Sequence, residues 1–304
     1  MTRTAFVFTA LAMLVCLLPA APAQAQAART FVSAAGSDSN NCTNVATPCR
    51  HFAAAYAATA PNGEIYVLDP ANYGALTITG PVSIEGHGWA SVAAASGSAA
   101  ITINANPGDK INIIGVVLDG TALFPSTGII LNTSGILTIR DSVIRNFTQG
   151  GIVFGGGQFF VSNTLIADNG SAGFSVGGNS VNGVLDHVQL ENNAVRGLSV
   201  GAVGTTNVTV TDSVIAGNGA PGIYAVAYSG TVNVMVRNST IANNFIGFDA
   251  EGPGATIRIT RSTVTGNTFG WLTYTGGVML SYADNNIDGN VSANTEPPNP
   301  LTYK

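Results

Sequence analysis

Acidic, imidazole and guanidinium side chains recur at a regular spacing along the chain. Every 22 to 26 residues a polar residue stands three positions before the apolar residue that closes a short β-branched segment. These polar residues and the charged residues directly before them include Asp141, Asp186, His187, Asp212, Arg237 and Arg261. Carboxylates beside a histidine or an arginine can act as general acid and base on a sugar chain. These six are the candidate catalytic residues.

The same series also fits a structural role. The series also includes Asn163, Asn238 and Asp284. Amides and opposite charges would therefore lie above one another if the segments stacked. Such an arrangement avoids like-charge repulsion on a solvated turn. A catalytic or sugar-binding groove and a ladder of turns are both open at this stage.

Several aromatic residues in the later repeats could stack on sugar rings. Tyr228 and Tyr274 fall in or near variable loops, and they are the candidate ligand-binding residues. Trp271 directly follows a repeat glycine, a position that favours the core. The chain has no Gly-x-Ser-x-Gly motif that would indicate a nucleophilic serine.

The composition excludes several classes of protein. Only 9% of the 304 residues are charged, whereas about a quarter is usual, and the formal net charge is −5. A negative chain with few basic residues is unsuited to nucleic acid. Because 46% of the residues are hydrophobic, the chain can bury enough apolar surface to fold.

An internal repeat predicts the elements that position these side chains. Its apolar anchors follow one another at steps of 22 to 26 residues: Leu118, Ile144, Ile166, Leu190, Ile215, Ile241, Val264 and Ile287. An asparagine stands three positions after six of the anchors: Asn169, Asn193, Asn218, Asn244, Asn267 and Asn290. A glycine and then an apolar residue follow, as in Gly173-Phe174 and Gly197-Leu198.

Each repeat therefore predicts a strand, a tight turn at the asparagine, a second strand and a variable loop. Such a unit buries its apolar face only by stacking on copies of itself. We expect the asparagines to adopt left-handed backbone geometry and to bond one another from coil to coil. The fold class is an all-β, right-handed parallel β-helix of about nine or ten coils. A leucine-rich repeat would require a Leu-x-x-Leu-x-Leu frame, which is absent.

The N-terminal region has the features of an exported protein. Arg3 precedes an apolar run of 14 residues, shorter than the roughly 20 that a membrane span requires, and small residues follow up to Ala27. We expect a signal peptide over residues 1–27, cleaved after Ala25 or Ala27, and delivery to the periplasm or the exterior. Cys42 and Cys49 then most simply form a disulfide, although two thiols could also supply half of a zinc site.

The remaining boundaries follow from composition. Residues 28–75 are predicted to form an N-terminal cap that contains the disulfide and a short helix over residues 50–60. The β-helix is expected over residues 76–290, and a loose, proline-containing C-terminal tail over residues 291–304.

The front of the chain contains a set of distinctive motifs: Arg29-Thr30-Phe31-Val32-Ser33, Gly36-Ser37-Asp38, Thr47-Pro48-Cys49-Arg50, Gly63-Glu64-Ile65-Tyr66-Val67-Leu68-Asp69-Pro70 and Leu76-Thr77-Ile78-Thr79. With these motifs the chain resembles secreted bacterial right-handed β-helix proteins of the pectin-lyase-like superfamily. The resemblance implies architecture and export, because that subgroup has no assigned activity. Polygalacturonase-like members carry an Asp-Asp pair, which this chain lacks, so Gly86-His87-Gly88 is interpreted as a turn.

Two functions are compatible with these features. The first is a non-catalytic, exported interaction module, expected to be monomeric, that binds polysaccharide or cell-envelope components. The second is a polysaccharide lyase, glycoside hydrolase or epimerase that acts on an acidic glycan with the Asp141 to Arg261 series. We expect no cofactor and no metal, with Ca²⁺ implied only for a lyase.

Overall fold

The protein is a parallel β-solenoid. The computed structural model describes residues 26–121, 123–297 and 301, so the expected signal peptide lies almost entirely outside the described residues. Every strand pairing between named strands is parallel, and the strands form one sheet of nineteen and one of nine. No helix among the described residues is long and apolar enough to span a membrane.

The nine-stranded sheet takes one strand from each coil. Its strands are β4 (Leu76–Ile78), β6 (Ala99–Ile103), β8 (Thr127–Leu131), β11 (Ile152–Phe154), β14 (Phe174–Val176), β17 (Leu198–Ala202), β20 (Pro221–Ala227), β23 (Ile246–Glu251) and β26 (Phe269–Tyr274). The nine strands make about eight full turns from first to last, slightly fewer than the nine or ten coils predicted.

The nineteen-stranded sheet contains two rows of strands that meet at a bend. The first row is β1 (Ala27–Val32), β2 (Thr59–Val67), β5 (Val82–Val92), β7 (Lys110–Asp119), β9 (Ile136–Arg140), β12 (Gly157–Ser162), β15 (Ser180–Asp186), β18 (Thr205–Thr211), β21 (Thr231–Arg237), β24 (Ala255–Thr260) and β27 (Val278–Ser281). The second row is β3 (Ala71–Asn72), β10 (Val143–Arg145), β13 (Leu165–Ala167), β16 (Gln189–Glu191), β19 (Val214–Ala216), β22 (Thr240–Ala242), β25 (Thr263–Thr265) and β28 (Asn286–Ile287).

The predicted anchors stack in register. Ile144 pairs with Leu118 on one side and Ile166 on the other, and the series continues to Ile287. Residues that alternate along each strand point inward, which makes one elongated core of aliphatic side chains with Phe154, Phe159 and Phe174 in edge-to-face contact. The period read from the sequence is therefore the period of the solenoid.

The asparagine ladder is confirmed, but its backbone geometry was predicted one residue too late. Each buried amide bonds the next coil, for example Asn169 Nδ2 to Asn193 Oδ1 at 2.9 Å and Asn218 Nδ2 to Asn244 Oδ1 at 2.9 Å. The left-handed residue is the one before the ladder asparagine, as at Asp168 and Asn192. That preceding residue makes the bend, and the asparagine itself points inward to satisfy backbone groups.

The N-terminal region places a helix and a disulfide-closed loop beside the first strands. One helix, α1 (Phe52–Ala58), lies within the predicted 50–60 segment and buries Phe52 and Ala55 beside β1. A Cys42–Cys49 disulfide closes the preceding loop. The capping role of residues 28–75 stays a prediction.

The start of the C-terminal tail was expected to be loose, but its first residues lie against the last coil. Trp271 Nε1 donates to the Thr295 carbonyl at 2.9 Å, and Ser292 pairs with Phe269. The open edge of the last coil offers unpaired backbone groups, and the tail satisfies some of them.

Candidate functional site

The predicted polar series lies at the bend between the two rows of the nineteen-stranded sheet. Asp141, Asn163, His187, Asp212, Asn238 and Arg261 each occupy this bend in successive coils. All six have left-handed φ angles between 46° and 51°. Asparagine, aspartate and histidine tolerate this conformation better than other non-glycine residues, so the turn itself explains most of the residue choice.

Carboxylate and amide partners alternate along much of this bend. Asn163 Nδ2 donates to Asp141 Oδ1 at 2.5 Å, and Asn238 donates in the same way to Asp212. The bond from Asn238 and a second from Thr211 lower the pKa of Asp212, and the nearby His187 and Arg237 charges lower it further. Alternation of this kind supports the structural interpretation of the series.

The structure does not bring all six candidate catalytic residues together. Asp141 and Arg261 are five coils apart, which at the spacing of paired strands is about 24 Å, too far to act on one bond. Asp186, His187 and Asp212 do converge, since one ligand atom from each lies within 4.8 Å of the others. Arg237 ends the next strand of the first row, level with Thr211. The six candidates therefore cannot all belong to one site, and a catalytic role for those that converge stays a prediction.

A second polar cluster, which the sequence analysis did not single out, lies on the nine-stranded sheet. Tyr224 and Asp249 are paired neighbours on β20 and β23, and Glu251 lies two residues beyond Asp249. The Tyr224 hydroxyl donates to Glu251. The Arg196 guanidinium carbon lies 4.3 Å from the centre of the Tyr224 ring. Three successive coils thus contribute to one cluster on the outer face of the sheet.

Burial perturbs the acids and the tyrosine in this cluster. Asp249 is only 7% exposed, and burial together with the neighbouring Glu251 charge raises its pKa to about 6, against the opposing effect of Arg196. Burial and the bond to Glu251 raise the pKa of Tyr224. Asp249 Oδ1 and Arg196 Nε are buried and have no hydrogen-bond partner among the described residues. Buried polar atoms are rarely left unpaired, so this cluster is unusual and marks a functional candidate.

A groove of about 240 Å³ lies on the same outer face, one coil towards the N-terminus. Gly177 and Gly201 line it, Ser199 adds a hydroxyl and Tyr228 forms one wall. A Cβ on Gly201 would come within 3.2 Å of the Tyr228 ring. The absence of a side chain at Gly201 therefore leaves room for the ring in its observed position.

Both candidate ligand-binding tyrosines are exposed, as predicted. Tyr228 is 73% and Tyr274 49% exposed, whereas Trp271 is partly buried against the core. Tyr274 is level with Glu251 on the neighbouring strand. Tyr228, Tyr224, Glu251 and Tyr274 therefore share one face of the nine-stranded sheet.

The sequence carried a weak signal for this cluster. Asp249 stands between two core positions, Phe248 and Ala250, two residues after a repeat glycine. The other repeats have an uncharged residue there: Val153, Ser175, Ser199, Tyr224 and Leu272. An acidic residue at this strand position, in a chain with only 9% charged residues, was the feature of the sequence that could have indicated the cluster. Arg196 directly precedes the repeat glycine Gly197, and the spacing does not show that its long side chain reaches the Tyr224 ring.

A family model and three solved structures are similar to this chain, and the family model supports the architecture. The sequence model of the family described as "Right handed beta helix region" matches residues 127–292. The A-module of the Azotobacter vinelandii mannuronan C-5 epimerase AlgE4 is 16% identical over 80% of this chain and 90% of that chain, with a TM-score of 0.49. The AlgE6 A-module from the same organism is 17% identical over 80% and 90%, with a TM-score of 0.46. Pectate lyase Pel9A is 18% identical over 88% and 72%, with a TM-score of 0.47. No curated protein matches the chain.

Proposed function

This chain belongs to the right-handed β-helix family, and from that premise we propose that it is an exported protein that binds a polysaccharide along the outer face of its nine-stranded sheet. The observation that carries the proposal is the exposed Tyr228 ring beside the glycine-lined groove. The Cys42–Cys49 disulfide supports an oxidising location outside the cytoplasm.

The groove suits a sugar ring. Tyrosine offers a flat apolar face and a polar tip, which matches the alternating apolar and hydroxyl-bearing surfaces of a pyranose. Gly177 and Gly201 let a ligand approach the backbone closely, and the Ser199 hydroxyl can donate or accept. These features favour a sugar over a fully apolar ligand.

The chemistry of the neighbouring residues favours a neutral chain over an acidic one. The Glu251 carboxylate can accept a hydrogen bond from a sugar hydroxyl, and its negative charge, with that of the buried Asp249 beside it, repels uronates. The one guanidinium of the cluster, Arg196, stacks on Tyr224 and has its Nε buried. We therefore expect hydroxyl-rich, uncharged polysaccharide to bind more tightly than alginate or pectate.

The test is a binding panel with a matched pair of aromatic variants. Isothermal titration of the mature protein against neutral and acidic polysaccharides should identify at least one neutral ligand. Tyr228→Ala should weaken that binding at least tenfold. Trp89→Ala removes another exposed ring, 46% exposed, from the other sheet and should leave binding unchanged. Equal binding by Tyr228→Ala and the unmodified protein, or no binding anywhere in the panel, would refute the proposal.

A second candidate function is catalysis, and the environment of Asp249 is the observation that favours it. A carboxylic acid with a pKa near 6 beside a second carboxylate is the arrangement that general acid–base chemistry uses. Release of reducing ends or of unsaturated products from the bound polysaccharide would establish turnover. Under this alternative, Asp249→Asn should abolish turnover and retain binding. If the unmodified protein binds the polysaccharide but releases no product, the catalytic alternative is refuted and binding is its only supported function.

A further inference from the structure

The bend at His187 departs from the pattern of the coils around it. Elsewhere in the polar series an aspartate is bonded by an asparagine one coil later, as in the pairs Asp141–Asn163 and Asp212–Asn238. Between those pairs stands His187, an imidazole rather than an amide. The residue before it is Asp186, whereas the equivalent positions in the adjacent coils are Ser162 and Thr211. This one bend thus combines an imidazole with an additional carboxylate.

These departures place three metal-binding side chains together. His187 Nδ1 lies 2.9 Å from Asp186 Oδ1, and Asp212 follows His187 at the bend of the next coil. One ligand atom from each of the three lies within 4.8 Å of the others, and no other group of three His, Cys, Asp or Glu side chains does so in the part of the chain that the structure describes. The two strands that lead into the bend, β15 and β18, are paired over seven residues, so the backbone holds the ligands at a fixed separation.

We propose that Asp186, His187 and Asp212 bind a divalent ion of the Zn²⁺ class. Zinc takes imidazole nitrogen and carboxylate oxygen at about 2.0–2.2 Å, which puts the ligand atoms of a tetrahedral site roughly 3.4 Å apart. The side chains of His187 and Asp186 are 65% and 31% exposed, so small rotations can close the remaining distance. Three protein ligands leave the fourth position to water.

The donor set favours zinc over calcium. Calcium requires six to eight oxygen ligands, whereas this cluster offers two carboxylates and one nitrogen. The ion would also reduce the electrostatic repulsion between Asp186 and Asp212, which lie at the same bend in neighbouring coils. The site lies on the bend of the nineteen-stranded sheet and is independent of the glycan proposal on the other sheet.

The other two histidines of the chain provide internal controls. His51 Nδ1 lies 2.6 Å from one oxygen of Asp38, and His87 Nδ1 lies 3.7 Å from one oxygen of Glu85. Each faces a single carboxylate in these contacts, whereas His187 faces two. A histidine next to one acid should not hold zinc at micromolar concentration, so His51→Ala should leave the binding unchanged.

The test is titration of the tag-free mature protein with ZnCl₂ by calorimetry. We expect one equivalent of Zn²⁺ to bind to the unmodified protein, and CaCl₂ to give no comparable binding. His187→Asn and Asp212→Asn both keep a residue type suited to the left-handed turn, and each should weaken zinc binding at least tenfold. Asp141→Asn is the matched control, since Asp141 has the same backbone geometry and the same kind of amide partner as Asp212.

A spectroscopic measurement separates this site from adventitious binding. Co²⁺ in place of Zn²⁺ should give the visible absorption of a tetrahedral site, and His187→Asn should remove it. Far-ultraviolet circular dichroism would verify that each variant is folded. Absence of zinc binding to the unmodified protein, or undiminished binding by folded His187→Asn or Asp212→Asn, would overturn the assignment.

Discussion

Asn218 Oδ1 accepts two hydrogen bonds from Asn193, one from its backbone N–H at 3.0 Å and one from its Nδ2 at 3.0 Å. Asn218 in turn donates from Nδ2 to Asn244 Oδ1 and to the Leu190 carbonyl. Each ladder asparagine therefore satisfies polar groups of the coils on either side of it. The ladder asparagines are buried, so each unpaired amide or backbone group would cost its desolvation, and the ladder stabilises the turn.

Truncation of one ladder residue should be costly. Asn218→Ala leaves buried partners on both neighbouring coils without hydrogen bonds, which should lower the free energy of unfolding by about 3 kcal/mol. Asn207 belongs to an exposed row, bonded to Asn182 and Asn233, so Asn207→Ala should cost less than about 1 kcal/mol. Urea denaturation of both variants measures the difference, and equal losses would show that burial does not decide the strength of the ladder.

The buried Asp249 should make stability depend on pH. Its pKa is raised to about 6 by burial and by Glu251, so the folded state holds a proton that the unfolded state releases near 3.8. The stabilisation that accompanies this proton is complete below about pH 4 and is lost as the pH rises through 6. By linkage the loss amounts to about 2 kcal/mol between pH 4 and pH 7.

Comparison with Asp249→Asn isolates this contribution. The asparagine cannot titrate, so the variant should lose less stability than the unmodified protein between pH 4 and pH 7, measured by denaturant unfolding at each pH. Asp119 provides a contrast: although burial raises its pKa, hydrogen bonds from Thr121, Asn146 and Arg145 lower it to about 2. Its contribution is present above pH 4 and is lost only as the pH falls towards 2. Parallel curves for the two proteins between pH 4 and pH 7 would contradict the assignment to Asp249.

Gly183 should tolerate no side chain. It lies within β15, and a Cβ there would stand 1.9 Å from Cζ of the buried Phe159 ring. Gly183→Ala should therefore destabilise the protein by about 2–3 kcal/mol through overpacking. Phe159→Leu in the same chain should restore part of that loss. Gly177→Ala is the control, because nothing lies within 4 Å of its added Cβ.

The processed N-terminus should be Gln26. Strand β1 begins at Ala27, which pairs with Thr59, and Gln26 Nε2 donates to the Ala57 carbonyl at 3.2 Å. Cleavage after Ala25 leaves these contacts intact, whereas cleavage after Ala27 removes the first residue of the strand. Mass spectrometry of the exported protein distinguishes the two, and a mature chain beginning at Ala28 would exclude the first site.

The sequence by itself determined the architecture of this protein. The spacing of the anchors from Leu118 to Ile287 predicted the register of successive coils, and the asparagines predicted a hydrogen-bonded ladder, because each coil pairs with an equivalent segment about one period away. The repeat pattern predicts the fold because each inner coil packs between two equivalent coils. The exposure of Tyr228 followed from its loop position, whereas Tyr274 is the last residue of β26 and is exposed on the outer face of the sheet.

Only the tertiary structure decided which side chains share a site. Arg196, Tyr224 and Asp249 come from three successive coils, and His187 meets Asp212 while Asp141 and Arg261 are separated by the rise of five coils. The identity and reach of the individual side chains set those contacts, and these are not periodic. The strand spacing fixes where each backbone passes, but burial and the reach of each side chain determine what it touches.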